Sequence, residues 1–198
     1  MNFIDSIVAA DKSATLAVNS VHCPASDWIW TVFSDKEIWF VLYLVVLVFF
    51  FIRLGWKKAL LAFGCCVLMV VCCDQFANLI KNFVERQRPC NDDWMIANGI
   101  HILEQGGGFS FFSAHAANTF GFAACSSMCF KWDRKRSYKA YTAGIFIWAA
   151  LVSVSRVFVA CHFIGDILVG TAVGLILGWA IAFAGGKAAA FFNSKERE

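Results

Sequence analysis

The sequence predicts an all-α membrane protein, a bundle of about five transmembrane helices preceded by a helix at the membrane surface. Hydrophobic residues make up 60% of the 198 residues and charged residues only 16%, and the mean hydropathy is +0.64. An average soluble protein has about 45–50% apolar and about 25% charged residues. The composition therefore excludes an ordinary water-soluble domain or a disordered chain, and the length predicts a single domain over residues 1–198.

Five apolar stretches approach the ~20 residues that a helix needs to cross a hydrocarbon layer of ~30 Å. They are residues 36–53, 57–81, 113–130, 140–154 and 164–184. The last stretch contains Gly170, Gly174 and Gly178, spaced four residues apart. Such a spacing predicts a smooth ridge for close contact with another helix, so we assign these glycines to packing.

Residues 1–35, which precede the first span, are predicted to lie at the membrane interface. Apolar residues recur at helical spacing near the start: Phe3, Ile4, Ile7 and Val8. This pattern predicts an amphipathic surface helix over residues 2–20, and a frayed polar tail is the alternative. Charged residues interrupt the segment, so we expect no cleavable signal peptide.

Basic residues predict the orientation of the bundle. Loop 53–58 has three basic residues and no acidic one, and loop 131–139 has five basic residues against Asp133. The C-terminal tail adds Lys187, Lys195 and Arg197. These three regions share one side, which the positive-inside rule makes cytoplasmic. The N-terminus, the 82–112 loop and the 155–163 turn then face the periplasm or the cell exterior. The net charge of +3 is too small to indicate a nucleic-acid partner.

Polar residues at the ends of apolar spans are candidates for a functional site because ionisable groups there are unfavourable. Asp74, Asn78 and Lys81 share one helical face at the end of the second span. Arg86 and Arg88 follow them in the outer loop. Snorkelling of these cations to lipid headgroups is the alternative interpretation.

A second polar group opens the third span. Gly106, Gly107 and Gly108 precede Ser113 and His115. A helix that begins here presents free backbone N–H groups and its positive end, which together favour an anion. Ser113 taken alone is better explained by a role as the N-cap.

A third polar group joins the fourth and fifth spans and contains Ser155, Arg156, His162 and Asp166. His162 and Asp166 are four residues apart, so they share a face if the helix has begun. A carboxylate beside an imidazole fixes its tautomer and stabilises its charged form.

All three polar groups lie at outer ends of spans, where together they suit a phosphoryl group. Cations and helix N–H groups bind phosphate oxygens, while one histidine attacks phosphorus and the other protonates the leaving oxygen. No carboxylate cluster suits magnesium and no cysteine or histidine spacing suits zinc, so we expect no metal or other cofactor.

Three motifs support a family resemblance: Lys81-x6-Arg88-Pro89, then Ser113-Ala114-His115, then Ser155-Arg156-x5-His162-x3-Asp166. They match, in order and spacing, the signature motifs of the type 2 phosphatidic acid phosphatase superfamily. The chain resembles its small bacterial integral-membrane branch over residues 57–185, which is the predicted catalytic core.

The resemblance implies a role for each matching residue. His162 would be the nucleophile that forms a phosphohistidine, Asp166 would orient it, and His115 would be the general acid. Phosphate oxygens would be held by Lys81, Arg88, Ser113 and Arg156, with backbone N–H groups around Ala114.

Six further residues near the motifs each have two possible roles. Ser155 either touches phosphate or makes a hydrogen bond at the helix junction. Arg86 either contacts the headgroup or snorkels. Asp74 and Asn78 either support the site or pair helices. Cys90 and Cys161 either form a disulfide or stay free.

The second motif departs from the family pattern. It reads Phe112-Ser113-Ala114-His115 where the family usually has Pro-Ser-Gly-His. The missing proline removes a preset helix start, and alanine narrows the approach of backbone to phosphate. We expect activity with an altered pocket shape, and an inactive binding module is the alternative.

The expected function is a metal-independent lipid phosphatase that acts on a phosphomonoester or a pyrophosphate at the outer leaflet. The candidate substrates implied by the resemblance are undecaprenyl pyrophosphate, slightly favoured, then lipid A, phosphatidylglycerol phosphate and phosphatidic acid. A phosphotransferase with the same intermediate and a non-enzymatic transporter or flippase are the alternatives. The loop over residues 90–112 is expected to form a lid or partial wall of the site. Six of its apolar residues are expected to dip into lipid: Trp94, Met95, Ile96, Ile100, Ile102 and Leu103. The sequence specifies no oligomeric state.

Overall fold

The computed structural model describes residues 2–195, with the side chains described through residue 190. This part of the chain is helical and contains no strand. The helices are α1 (Phe3–Asn19), α2 (Pro24–Ser34), α3 (Phe40–Leu54), α4 (Trp56–Val84), α5 (Asp93–Ala97), α6 (Ala114–Phe130), α7 (Lys139–Phe158) and α8 (Ile164–Lys195). A 3-10 turn occupies Pro89–Asn91. Arg197 of the predicted cytoplasmic tail lies outside the described residues, as does the side chain of Lys195.

The predicted class, an all-α membrane protein, is confirmed. Among the described residues, three segments are long and apolar enough to cross a membrane: Trp56–Ala97, which contains α4, Lys139–Phe158 and Ile164–Ala190. The apolar helix α3 is shorter, with 15 residues. Each of the five predicted stretches overlaps one helix. The count of five membrane spans stays a prediction.

Helix α6 lies at the centre of the bundle. It packs against α4, α7 and α8, and 12 of its 17 residues are buried. Its sequence is rich in alanine and also contains small serine and cysteine residues, because it faces neighbouring helices instead of lipid. The centre of the bundle therefore holds the helix that begins at the second motif.

The predicted glycine ridge of α8 packs directly on α6, which confirms the prediction. A Cβ atom built on Gly170 would lie 2.5 Å from the Ser113 carbonyl oxygen. On Gly174 it would lie 2.2 Å from the Ala117 carbonyl oxygen. These contacts are shorter than any tolerated by real Cβ atoms, so glycine is required for the two backbones to meet.

We expect Gly174→Ala to lower the free energy of unfolding by about 1–3 kcal/mol, because the added methyl group forces α8 away from α6. Thermal unfolding in detergent measures this loss. The control is Gly144→Ala in α7, where an added Cβ meets nothing within 4 Å. Equal stability of the two variants would contradict the proposed role of the close contact.

The N-terminal segment is folded, and the alternative of a frayed tail is wrong. Helix α1 exposes the predicted apolar residues Phe3 and Ile7 in its first half. In its second half the polar residues Asp11, Thr15 and Asn19 contact the start of α8 and the end of α7. Helix α2 follows as a separate element that begins at Pro24, where a proline suits the first turn of a helix.

The 90–112 loop is packed more tightly than predicted. Met95 and Ile100 are buried with Cys90, Ala160 and Phe163 in a small apolar cluster of their own. The expectation that Met95 and Ile100 dip into lipid is therefore wrong. They face inward because the loop folds over the turn that joins α7 and α8.

Candidate active site

The three motifs meet at one end of the bundle. The Ser113 N–H donates to the Asp166 carbonyl at 3.0 Å, which joins the start of α6 to the start of α8. The Arg88 side chain donates from Nη1 to the Cys161 carbonyl at 3.1 Å, which joins the loop after α4 to the α7–α8 turn. Backbone and side-chain hydrogen bonds thus hold the motif segments against one another.

His162 is buried at the centre of this group. Its Nδ1 lies 3.5 Å from Asp166 Oδ2, and its Nε2 lies 3.4 Å from Arg88 Nη1. Arginine is only a donor, so Nε2 carries the lone pair and Nδ1 carries the proton that faces the carboxylate. At 3.5 Å the Nδ1–Asp166 contact is electrostatic and longer than an ordinary hydrogen bond.

The environment of His162 favours its neutral form. Burial lowers the pKa of His162 to about 4, and the nearby positive charges of Arg88 and Arg156 add to that effect. The negative charge of Asp166 opposes the shift but does not overcome it. The Nε2 lone pair is therefore available at neutral pH, as a nucleophile requires.

Asp166 is fully buried and uses both carboxylate oxygens. Oδ1 accepts from Arg86 Nη1 at 2.7 Å, and Oδ2 accepts from the Phe163 N–H at 3.0 Å. Because α8 begins only at Ile164, the helix has not begun at His162, and the condition for a shared helical face is not met. The turn still brings His162 beside Asp166.

Arg86 is an internal ion-pair partner. In addition to Asp166, its Nη2 donates to Asp11 Oδ2 at 2.8 Å, and its guanidinium lies over the Phe163 ring at 3.9 Å. Both roles expected for Arg86, a headgroup contact and a snorkelling side chain, are replaced by this arrangement. The reason is that two carboxylates and an aromatic face enclose the side chain.

Asp11 and Thr15 of α1 complete the start of α8, and sequence analysis missed both. Asp11 Oδ1 accepts from the Gly165 N–H at 2.8 Å, and Thr15 Oγ1 accepts from the Ile164 N–H at 3.1 Å. These contacts satisfy amides that a helix start leaves free. The available signal was the polar face of α1, on which these residues are four apart.

Arg88 and Lys81 differ in the number of polar contacts that they make. Arg88 Nε donates to the Gly107 carbonyl at 2.9 Å, and a Cβ on Gly106 would collide with the Arg88 side chain at 2.6 Å. The glycine loop therefore makes room for Arg88. Lys81, in the last turn of α4, makes no hydrogen bond or ion pair within the described part of the chain.

Arg156 is buried and paired with Glu104, a residue that sequence analysis missed. Its Nη1 and Nη2 donate to the two Glu104 carboxylate oxygens at 2.9 and 3.2 Å, and Nη1 also binds Ser34 at the end of α2. Burial raises the pKa of Glu104, but Arg156 outweighs this and holds it below its usual value. Arg156 Nε is buried without a partner among the described residues, so it remains free to donate.

The start of α6 brings the second motif to the same place. Ser113 is the N-cap, and its Oγ accepts from the Ala116 N–H at 3.4 Å. The first turn leaves the N–H groups of Ala114 and His115 without intrahelical acceptors. His115 lies in the first turn of α6, and the hydrogen bond from the Ser113 N–H to the Asp166 carbonyl places that turn beside the start of α8, so the two histidines share one end of the bundle.

The residues with alternative roles have ordinary structural contacts. Asp74 accepts from Asn118 Nδ2 at 2.8 Å and links α4 to α6, whereas Asn78 is exposed. The Ser155 hydroxyl donates to the Val152 carbonyl within its own helix at 2.7 Å. None of these three residues contacts His162 in the described part of the chain.

Cys90 and Cys161 are both buried free thiols. Their Sγ atoms lie 4.0 Å from the Gly106 carbonyl and 3.9 Å from the Glu104 carbonyl, respectively. Burial raises the pKa of Cys161 to about 11, which keeps its thiol protonated and unreactive. Of the two alternatives, the structure has free thiols and not a disulfide.

Comparison with known proteins identifies a matching family and two similar proteins. A family model described as the PAP2 superfamily matches residues 59–188. A lipid A 4'-phosphatase of Bacteroides thetaiotaomicron is 33% identical over 187 residues, which cover 93% of this chain and 80% of the relative. A lipid A 4'-phosphatase of Porphyromonas gingivalis is 33% identical over 174 residues, which cover 87% of this chain and 71% of the relative.

Two solved structures share the fold. The phosphatidylglycerolphosphate phosphatase of Bacillus subtilis, a transmembrane protein of PAP2 type, aligns with a TM-score of 0.71 at 21% identity and covers 92% of this chain and 87% of that one. LpxE of Aquifex aeolicus aligns with a TM-score of 0.66 at 22% identity and covers 87% of this chain and 93% of that one. At these identities the likeness concerns the fold.

Proposed function

The chain belongs to the PAP2 superfamily and is a membrane lipid phosphatase, and we propose that it removes the 4'-phosphate of lipid A. The support for this substrate is the 33% identity to two lipid A 4'-phosphatases over most of the chain. We therefore prefer lipid A to undecaprenyl pyrophosphate, which the sequence alone slightly favoured. Residues 57–185 form the proposed catalytic core.

The proposed reaction has two steps at His162, and the observation that carries it is the buried neutral imidazole between Asp166 and Arg88. In the first step Nε2 forms a bond to phosphorus while the bond to the lipid oxygen breaks. His115, which begins the step as an imidazolium, gives a proton to that oxygen and becomes neutral, and the lipid alcohol leaves. The Nδ1 proton stays with the imidazole, which Asp166 stabilises.

In the second step a water molecule attacks the phosphohistidine. His115, now unprotonated, accepts the proton of the water, the phosphorus–nitrogen bond breaks, and inorganic phosphate leaves. His162 returns to its neutral form. Attack by a second lipid hydroxyl in place of water would make the protein a phosphotransferase.

Phosphate oxygens are held by cations and by the start of α6. We assign this role to Lys81, Arg88, the Nε of Arg156, and Ser113 with the N–H groups of Ala114 and His115. Arg156 Nε has no partner among the described residues, and Lys81 makes no hydrogen bond or ion pair with them, so both groups bind phosphate without first breaking a hydrogen bond. These groups stabilise charge that develops on the phosphoryl oxygens.

An apolar cavity supports a lipid substrate. It has a volume of about 320 Å³, lies between α3 and α4, and is lined by side chains that include Tyr43, Phe50 and Val67. Asn118, one helical turn along α6 from His115, also lines it. We assign the cavity to one acyl chain of the substrate.

We propose that the site faces the periplasm and that the C-terminus is cytoplasmic. The basic loops 53–58 and 131–139 lie at the opposite ends of the helices from His162, as the positive-inside rule requires. The apolar residues of α1, exposed beside the site, fit the membrane surface at that side.

We expect the purified protein to release phosphate from lipid A in EDTA, with a kcat/KM at least about tenfold above that for undecaprenyl pyrophosphate, phosphatidylglycerol phosphate or phosphatidic acid. Phosphate release in detergent micelles and mass spectrometry of the lipid product measure the rate and the position of cleavage. A faster reaction with the pyrophosphate would contradict the proposed substrate. Loss of activity in EDTA would contradict the metal-independent reaction, and labelled phosphate on a second lipid would identify a transferase.

A further inference from the structure

Three side chains that commonly bind metals meet outside the candidate active site. His22 lies in the linker between α1 and α2, Asp27 lies in the first turn of α2, and His101 lies in the loop after α5. One ligand atom of each residue lies within 4.8 Å of the other two. No local sequence motif marks this group of residues, because 74 residues separate Asp27 from His101.

The two imidazoles are already arranged around the carboxylate. His101 Nε2 lies 3.0 Å from Asp27 Oδ2. The rings of His22 and His101 are parallel within 4° and their centroids are 3.7 Å apart. Both imidazoles are therefore held beside one carboxylate before any ion binds.

The second oxygen of Asp27 lacks a partner. Asp27 Oδ1 is buried and accepts no hydrogen bond from the described residues. A buried carboxylate oxygen without a donor is unfavourable, because it has lost its water without gaining a substitute. A cation beside the carboxylate would supply the missing interaction.

We propose that His22, Asp27 and His101 bind a zinc ion or another transition metal that prefers imidazole and carboxylate ligands. Two imidazoles and a carboxylate suit such an ion, whereas magnesium and calcium prefer oxygen ligands alone. Zinc needs ligand bonds of about 2.0–2.2 Å, so the ligand atoms must move inward. His22 is exposed and lies in a linker, so rotation of its side chain closes the site, and water takes the fourth position.

The metal would join the N-terminal segment to the loop that borders the active site. Asn19 already makes such a connection, because its Oδ1 accepts from the His101 N–H at 2.8 Å and its Nδ2 donates to the His101 carbonyl at 2.9 Å. Glu104, the partner of Arg156, follows His101 by three residues. The metal is therefore a structural clamp on this loop, separate from the phosphoryl chemistry.

The test uses the full-length protein, free of any histidine tag, in detergent after treatment with EDTA. We expect one zinc ion per chain, measured by competition with a chromogenic chelator, with a Kd of about 1 μM or below. Zinc should also raise the thermal unfolding temperature, since a ligand of the folded state stabilises it. His22→Ala and Asp27→Asn should each weaken zinc binding at least about tenfold.

Asp93→Asn is the matched control, because Asp93 is an exposed carboxylate of the same outer region and should leave zinc affinity unchanged. Absence of zinc binding by the unmodified protein would overturn the proposal. So would an unchanged affinity in His22→Ala, an exposed position at which the fold should survive. Because affinity and unfolding temperature are measured without substrate, failure of the phosphatase proposal leaves this test intact.

Discussion

His162→Ala should reduce phosphate release at least about a thousandfold, because it removes the atom that bonds to phosphorus. The remaining residues still bind the phosphate, so KM should change far less than kcat. With a lipid labelled in its phosphate, the unmodified protein should carry an acid-labile label after rapid quenching. The variant should carry none.

Loss of folding is a separate explanation that this experiment must exclude. His162 is a buried neutral side chain with long contacts to Asp166 and Arg88, both of which keep other partners, so truncation leaves a small cavity but no unpaired charge. His162→Ala should therefore unfold cooperatively at a temperature near that of the unmodified protein. Full phosphatase activity in this folded variant would remove His162 from the role of nucleophile.

The active-site motifs were predictable from sequence because each is local. Ser113 is the N-cap of a helix, and His162 and Asp166 are four residues apart in a short turn that leads into α8, so the paired groups are close in the chain. The glycine ridge of α8 was predictable for the same reason: a period of four marks one helical face. In each case the residues lie in one short segment of the chain.

The missed residues act across long separations in the chain. Asp11 reaches Arg86 and Gly165, and Glu104 reaches Arg156. The polar face of α1 marks Asp11 but not its partners, and nothing in the adjacent sequence marks Glu104. The packing of α1 and of the 90–112 loop on the bundle determines which residues these two carboxylates contact. The same limit explains Met95 and Ile100, whose apolar character fits lipid and a buried cluster equally well.

The Arg86–Asp166 pair predicts a second large effect, on stability. Asp166 is fully buried and the Arg86 side chain is 19% exposed, so Arg86→Met should leave Asp166 as a buried charge without its cation. Removal of one partner from such a pair lowers the free energy of unfolding by about 3–5 kcal/mol. Thermal unfolding in detergent, followed by a dye that labels newly exposed cysteines, measures the loss.

A double variant separates the effect of the unpaired Asp166 charge from the effect of the changed side-chain shape at position 86. Arg86→Met/Asp166→Asn removes the unpaired charge, so it should regain part of the stability that Arg86→Met loses. It should stay inactive, because His162 then lacks the carboxylate that stabilises its charged form. The control is Arg136→Met, an exposed arginine in the loop between α6 and α7, which should change stability by no more than about 0.5 kcal/mol. If Arg86→Met were as stable as this control, the ion pair would not support the site, and Asp166 would depend on its hydrogen bond from Phe163 alone.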